Sequence, residues 1–202
     1  MQIEKILHPI RALGPGNRLV IWTLGCPRRC KGCSNPETHL SNHSADLSIS
    51  EMLRRYDLNQ IDGVTISGGE PFMQIYELHK LVLELKNKKV NDILIYTGYT
   101  YQELLAMDRR EVDDILTNIS VLIDGPYVDE LHIDHRLKGS SNQNIIYIDK
   151  TQRCRYEEYL LEEKKLDIIH LANGEVHFIG IPPKEFRELY PEYIKSSKHI
   201  TE

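Results

Sequence analysis

The sequence predicts an α/β fold built around a mostly parallel sheet. Strand-like and helix-like segments alternate along the chain, as they do where βαβ units follow one another. The predicted strands are hydrophobic runs without strict alternation, which is typical of strands buried on both faces. Because 202 residues are too few for eight complete βα units, we expect an incomplete barrel or an open sheet in a single domain spanning residues 1–202.

The strands and helices are predicted in the following order. Residues 18–24 are β-branched and aromatic, which favours a strand, and they lead directly into a cluster of cysteines. Further strand-length hydrophobic runs occur at residues 63–67, 92–96, 119–123 and 144–148. One helix is expected after each of the first three strands, at residues 48–56, through residues 76–85 and from Thr100 onward. The pairs Ser48 with Glu51 and Thr100 with Glu103 have the spacing of a capping box.

Residues 151–202 are interpreted as an extension of a core that covers about residues 10–150. Within this extension, residues 167–181 have the pattern of a β-hairpin, with a type I′ turn predicted at Asn173 and Gly174. A short helix is expected at residues 184–189. We interpret the hairpin as an addition to the main sheet rather than as a separate domain.

Charge and hydropathy exclude several classes of partner. The formal net charge is −5 and no Lys/Arg-rich block offsets it, which argues against nonspecific binding to nucleic acid. No run approaches the roughly 18 apolar residues of a membrane span, so no membrane association is expected. The first residues lack the features of a secretory signal. The expected compartment is therefore the cytoplasm, where clustered cysteines hold a metal more often than they form disulfides.

Three of the four cysteines, Cys26, Cys30 and Cys33, fall within eight residues. A closed metal site needs four ligands, so a loop with three thiolates leaves one metal position open for another molecule. This loop is therefore a candidate reaction centre. A disulfide within the loop is the alternative. The fourth cysteine, Cys154, lies far outside the loop and is expected to be a free structural thiol.

Two metals are compatible with this loop on spacing alone. Zinc would need a fourth ligand, for which the candidates are His39, His43 and Cys154. The spacing of three and then two intervening residues is not that of a typical zinc knuckle, whereas an iron–sulfur cluster tolerates three protein thiolates. The sequence favours iron–sulfur over zinc. Three cations within the loop either offset the negative charge of a bound cluster or are solvated loop residues: Arg28, Arg29 and Lys31.

Polar residues and glycines cluster where the predicted strands end. They are Gly68, Gly69, Glu70 and Pro71 after the second strand, Thr97 and Gly98 after the third, and Asp124 and Gly125 after the fourth. The carboxyl ends of parallel strands share one edge of a sheet, so these residues are expected to lie near the cysteine loop. Ser140, Ser141, Asn142 and Gln143 precede the last core strand. Ordinary turn and cap roles are the alternative for all of them.

These motifs together resemble the radical S-adenosylmethionine superfamily. The cysteine spacing resembles the cluster loop of that family, and residues 67–71 resemble its Gly-Gly-Glu-Pro segment. Four further segments resemble the activating component of anaerobic ribonucleotide reductase, namely residues 30–38, 96–99, 122–127 and 136–143. The resemblance covers about residues 10–150 and implies a (β/α)6-like partial barrel, here with a C-terminal β-hairpin extension.

The resemblance implies two cofactors. Cys26, Cys30 and Cys33 would hold a 4Fe–4S cluster, and S-adenosylmethionine would chelate the remaining iron through its amino and carboxylate groups. The implied contacts to S-adenosylmethionine are Gly68, Gly69, Glu70, Pro71, Thr97, Asp124, Ser140 and Asn142. One electron from the cluster would cleave the sulfonium to give methionine and a 5′-deoxyadenosyl radical, with no catalytic residue needed beyond cluster and cosubstrate.

The implied function is an activating enzyme that forms a glycyl radical on a large partner. That partner would be anaerobic ribonucleotide reductase or a related glycyl-radical enzyme, with flavodoxin or ferredoxin as the reductant. The first alternative is an enzyme acting on a small molecule or peptide, similar to 7-carboxy-7-deazaguanine synthase. The second is a non-catalytic iron–sulfur or zinc-binding protein. Ser34 and His39 stand where the activase branch often has aromatic residues, which leaves the substrate open.

Overall fold

The computed structural model describes residues 1–41, 46–164, 166–170 and 176–189, and it has an α/β fold. Its main sheet has six strands in the order β1 to β6. The strands are β1 (Ile3–Ile10), β2 (Arg18–Thr23), β3 (Gly63–Gly68), β4 (Ile93–Tyr96), β5 (Val121–Asp124) and β6 (Asn144–Tyr147). The five predicted core strands are therefore present, and β1 is an additional strand that the sequence analysis did not identify.

The sheet is parallel in its centre and antiparallel at both edges. Strands β2, β3, β4 and β5 pair in parallel, whereas β1 is antiparallel to β2 and β6 is antiparallel to β5. The side chain of Asp124 accepts hydrogen bonds from both nitrogens of Asn144, its partner in the β5–β6 register. This four-stranded parallel centre is consistent with a partial barrel, although the described strands do not form six βα units.

The helices lie where the hydrophobic spacing predicts and also in two places that it did not identify. Their bounds are α1 (Ile49–Arg54), α2 (Ile75–Asn87), α3 (Tyr101–Leu105), α4 (Arg110–Asn118), α5 (Arg153–Leu161) and α6 (Lys184–Leu189). Helices α4 and α5 were not expected from the sequence. In α4 the signal was present, because Val112, Ile115 and Leu116 have helical spacing and are buried. No helix in the described ranges is long and apolar enough to cross a membrane.

Only one of the two predicted capping boxes forms. At the start of α3, the backbone N–H of Glu103 donates to Thr100 Oγ1 at 3.2 Å, and the N–H of Thr100 donates to Glu103 Oε2 at 2.6 Å. The prediction for Ser48 and Glu51 is wrong, because the Ser48 side chain makes no cap hydrogen bond at the start of α1. Its hydroxyl instead lies 3.2 Å from that of Ser50, a competing local interaction typical of serine.

Each face of the main sheet is covered by a different part of the chain. Alternate residues of β2 point to opposite faces. Leu19 and Ile21 pack in a core cluster with α1, α2 and α4, whereas Val20 and Trp22 pack with Ile179. On this second face, residues of β4 and β5 also pack against Tyr156 and Tyr159 of α5. We call the side covered by α5 and Ile179 the second face.

The C-terminal extension contributes a separate two-stranded sheet. Its strands β7 (Asp167–His170) and β8 (Val176–Ile179) pair antiparallel. The predicted turn at Asn173 and Gly174 lies outside the described residues. The Asp167 carboxylate attaches β7 to the rest of the chain by accepting hydrogen bonds from the backbone N–H groups of Arg11 and Ala12 at 2.6 and 2.7 Å. Through these bonds and through Ile179, which packs with Val20 and Trp22 of β2, the extension contacts the core.

A buried ion pair stabilises the end of the sheet opposite the cysteine loop. Arg18 at the start of β2 is fully buried, and its Nη1 donates to Asp92 Oδ2 at 2.6 Å. Arg18 also donates to Thr65 Oγ1, while Asp92 accepts a hydrogen bond from the hydroxyl of Tyr156 at 2.8 Å. This network joins β2, β3, α5 and the residue before β4 on the second face of the sheet.

Replacing Asp92 with Asn is expected to lower the free energy of unfolding by about 3–5 kcal/mol, because the Arg18 charge would stay buried without its counterion. Urea denaturation followed by circular dichroism measures this loss. The control is Glu157→Gln, which removes one partner of the exposed ion pair with Arg153 and is expected to cost less than about 1 kcal/mol. Equal losses in the two variants would contradict a dominant role for the buried pair.

Candidate active site

A cavity lies at the carboxyl ends of the parallel strands. All three cysteines of the loop line it, together with residues that follow β3, β4 and β5. The residues predicted for this edge that line the cavity are Gly68, Gly69, Glu70, Thr97, Gly98 and Gly125. The structure therefore brings the cysteine loop and the ends of three strands into one place, as the parallel topology led us to expect.

The cysteine loop turns sharply and is fixed at its base. Gly25, Arg29 and Gly32 have positive φ angles of 88°, 46° and 69°. At the base of the loop, the backbone N–H of Gly25 donates to the carbonyl of Thr38 at 2.8 Å, and the N–H of Cys26 donates to the carbonyl of His39 at 3.2 Å. These two backbone hydrogen bonds hold the start of the loop against residues 38 and 39 without the help of a metal.

Burial alters the acidity of two of the thiols. It raises the pKa of Cys33 to about 11, although the backbone N–H of Asn35 opposes this by donating to the sulfur at 3.4 Å. Burial also raises the pKa of Cys30, and the neighbouring sulfur of Cys26 adds to the rise. Both groups are therefore protonated thiols at neutral pH, and metal binding at this loop would release protons.

The glycine pair after β3 lies directly against the base of the cysteine loop. A Cβ atom at Gly68 would overlap the backbone of Thr23, and one at Gly69 would overlap the carbonyl of Gly25. Two hydrogen bonds use this close approach: the N–H of Gly69 donates to Thr23 O at 2.8 Å, and the N–H of Glu70 donates to Gly25 O at 2.7 Å. Glycine is needed at these two positions because neighbouring backbone of the same chain lies too close to leave room for a Cβ atom.

Glu70 connects the ends of β3 and β4. Its carboxylate is buried and accepts hydrogen bonds from the N–H of Phe72 at 3.0 Å, the hydroxyl of Thr97 at 2.8 Å and the N–H of Gly98 at 2.7 Å. Burial raises the pKa of Glu70, and these three donors oppose that rise by stabilising the carboxylate. Glu70 and Thr97 therefore shape the cavity wall through their bonds to each other.

Four of the predicted contact residues lie behind the wall of the cavity instead of in it: Pro71, Asp124, Ser140 and Asn142. Asp124 Oδ2 accepts a hydrogen bond from the N–H of Tyr101 at 2.8 Å, while its Oδ1 is bonded to β6. Ser140 Oγ accepts from the N–H of Val128, and Asn142 Nδ2 donates to the carbonyl of Pro126 at 2.8 Å. Pro71 begins a 3₁₀ turn. Their visible role is to position the loops that line the cavity.

Several lining residues were not identified from the sequence. Tyr96, the last residue of β4, lines the cavity with a buried hydroxyl that has no hydrogen-bond partner among the described residues. Burial raises its pKa well above the usual value. Ile181 and Pro182 reach the cavity from the C-terminal extension. Gln143, which was named with the polar residues before the last core strand, lines it from the loop before β6. Tyr96 and Gln143 belong to segments that the resemblance covers, whereas Ile181 and Pro182 do not.

A protein-family model described as a 4Fe-4S single cluster domain matches residues 12–146. The chain belongs to this family. Among curated proteins, it is similar to the pyruvate formate-lyase-activating enzymes of Staphylococcus aureus strains USA300, NCTC 8325 / PS 47 and COL. The identity to each is 33% over 153 residues, which covers 69% of this chain. The chain spans 60% of the length of these relatives.

Membership in the 4Fe-4S single cluster domain family confirms the predicted 4Fe–4S cluster. Within the described residues, no three His, Cys, Asp or Glu side chains converge on a site for a single ion. A 4Fe–4S cluster has a different requirement, since each thiolate binds its own iron. Three thiols that line one cavity, beside a backbone edge that only glycine can form, fit such a cluster and a bound cosubstrate.

Replacing Glu70 with Gln is expected to destabilise the apoprotein by about 1–3 kcal/mol, because an amide cannot accept hydrogen bonds at both ends and one buried donor would lose its partner. Thermal denaturation of the metal-free protein measures the change. Glu130→Gln is the matched control, since that carboxylate is exposed and bonded to the exposed Lys31. A melting temperature unchanged from wild type in Glu70→Gln would show that the three bonds contribute little.

Proposed function

We propose that this protein is a radical S-adenosylmethionine enzyme that generates a glycyl radical on a partner enzyme. The observation that carries the proposal is the shared cavity: three thiols from the loop after β2 face the glycine edge after β3. The hydrogen bonds from Gly69 to Thr23 and from Glu70 to Gly25 couple the two parts directly. The names of the Staphylococcus relatives support the activase branch of the family.

Each part of the site has a role in this proposal. Cys26, Cys30 and Cys33 would hold the cluster, and the backbone edge at Gly68 and Gly69 would receive the methionine end of the cosubstrate. When bound and reduced, the cluster supplies one electron that cleaves S-adenosylmethionine to methionine and a 5′-deoxyadenosyl radical. Glu70 and Thr97 would hold this edge rigid, because the Glu70 carboxylate accepts hydrogen bonds from the Thr97 hydroxyl and from the N–H of Gly98, which follows β4.

The remaining lining residues would protect a reactive species from water. Ile181 and Pro182 add apolar surface from the extension, and Tyr96 contributes a partly buried aromatic ring at the end of β4. Such surfaces help to exclude water from the cavity. The Tyr96 hydroxyl is buried in this wall and has no hydrogen-bond partner among the described residues.

The proposed partner is a large glycyl-radical enzyme that acts in the cytoplasm. The resemblance in residues 96–99 and 122–127 favours anaerobic ribonucleotide reductase, whereas the names of the relatives point to pyruvate formate-lyase. Flavodoxin or ferredoxin is the proposed class of reductant. Neither nucleic acid nor a membrane has a role in this proposal, in keeping with the net charge of −5.

One observation favours a second function, the conversion of a small molecule or peptide. Ile181 and Pro182 place the chain's own C-terminal extension in the cavity wall, which leaves less room for a loop of another protein. A small substrate would enter such a walled cavity without displacing the extension. The two functions share cluster and cosubstrate, so they differ only in the donor of the hydrogen atom.

Reconstituted with iron and sulfide and reduced with dithionite without oxygen, the protein is expected to convert S-adenosylmethionine to 5′-deoxyadenosine, measured by liquid chromatography. Cys30→Ala is expected to abolish this conversion because the cluster would lose a ligand. Cys154→Ala is the matched control, since Cys154 is exposed on α5, and its activity is expected to equal that of wild type. Cleavage by Cys30→Ala at the wild-type rate would refute the role of the loop.

Mixed with the correct glycyl-radical enzyme under the same conditions, the protein is expected to produce a glycyl doublet in the electron paramagnetic resonance spectrum. Anaerobic ribonucleotide reductase and pyruvate formate-lyase are the two candidates to test. A substitution of the radical-bearing glycine by alanine in the partner is the control and should remove the signal. Cleavage of S-adenosylmethionine without a doublet from either partner would favour the second function.

A further inference from the structure

Arg28 crosses from the cysteine loop to the start of α3. Its guanidinium stacks on the ring of Tyr99 with 4.6 Å between the guanidinium carbon and the ring centroid. Its Nη2 donates to Glu103 Oε2 at 3.3 Å. The side chain is 23% exposed, whereas that of Lys31 in the same loop is 77% exposed. Arg28 is therefore a cation held in one place, while Lys31 projects into solvent.

The end of β4 is shaped to admit this arginine. A Cβ atom at Gly98 would overlap the aliphatic stem of Arg28, so the strand end accommodates the side chain only because residue 98 is glycine. Arg28 also lines the cavity that the three cysteines share. Burial raises the pKa of Glu70, and the charge of Arg28 opposes this rise. The guanidinium thus lies in the wall that the cysteine loop and the end of β4 share.

We propose that Arg28 is a positioning residue that holds a positive charge against the cluster and raises its reduction potential. This inference rests on the proposed placement of the cluster at the cysteine loop. Reduction adds one negative charge to the cluster, and a fixed cation nearby stabilises the reduced state more than the oxidised state. Glu103 is bonded to the guanidinium without lining the cavity and partly offsets its charge, so the two residues affect the potential in opposite directions.

The direction of the change in reduction potential distinguishes this role from a merely structural one. If Arg28 and Glu103 only held the loop in place, altering either residue would reduce cluster assembly to a similar extent. An electrostatic role instead predicts opposite signs for the two changes. Glu103→Gln removes the charge while a glutamine preserves the capping-box pattern at the start of α3, so the helix is expected to remain intact.

The test is a redox titration of the full-length, cluster-loaded protein, with dithionite as the reductant and the reduced cluster quantified by electron paramagnetic resonance. Neither S-adenosylmethionine nor a partner is added. Arg28→Met is expected to lower the equilibrium constant for reduction about tenfold, which corresponds to about 59 mV for one electron. Glu103→Gln is expected to raise the potential, and Arg28→Lys should recover part of the loss. Lys31→Met removes the same charge from the same loop and is expected to change the potential far less, because water screens that side chain.

Each outcome decides the inference. Potentials of Arg28→Met and Glu103→Gln that equal wild type, or that shift in the same direction, would overturn it. An effect of Lys31→Met as large as that of Arg28→Met would overturn it too, since general loop charge would then be responsible. If Arg28→Met does not assemble a cluster, the Glu103→Gln variant decides the test: a higher reduction potential than wild type supports the proposal, and an equal or lower one overturns it. Failure of wild type to assemble any cluster would refute the cluster placement itself, whereas a missing glycyl radical leaves this test unaffected.

Discussion

The site depends on one close approach between two backbone segments. Gly69 and Glu70 donate their N–H groups to the carbonyls of Thr23 and Gly25, and this brings the edge after β3 against the base of the cysteine loop. The parallel register of β2 and β3 places both segments at the same end of the sheet, and only glycine allows the remaining approach. This junction joins the loop directly to the glycine edge, and Arg28 adds a second link from the loop to the start of α3.

Glu70 connects this junction to the end of β4, and the connection requires a buried carboxylate. A buried carboxylate is unfavourable unless donors surround it. Here Phe72, Thr97 and Gly98 supply three. The same strand end also accommodates Arg28, whose charge stabilises the carboxylate. The cavity wall is therefore a charged assembly whose members are fixed by hydrogen bonds, which is the arrangement that best preserves an electrostatic field when a ligand binds.

Local patterns in the sequence were sufficient for the parallel centre of the sheet and for most of its helices. The strand ends at Gly68, Thr97 and Gly125 were expected to meet at the cysteine loop, and they do, because parallel topology requires it. Local patterns do not determine which of the predicted residues line the cavity. Asp124 has the composition of a ligand contact but is bonded to Tyr101 and Asn144, and no sequence pattern distinguishes these two roles. Tyr96 was missed because a tyrosine that ends a buried strand resembles any core aromatic residue.

The second face of the sheet has a consequence for how the protein is made. Its cover consists of α5 and the β7–β8 sheet, all of which follow the family-matched residues 12–146 in the chain. During synthesis, Val20, Trp22 and Leu94 therefore leave the ribosome long before the residues that bury them. The cysteine loop and the glycine edge come together from earlier residues, while Ile181 and Pro182 arrive last. The order of the chain thus lets the proposed cofactor site form as an open surface, which Ile181 and Pro182 convert into a walled cavity after the rest of its lining has been synthesised.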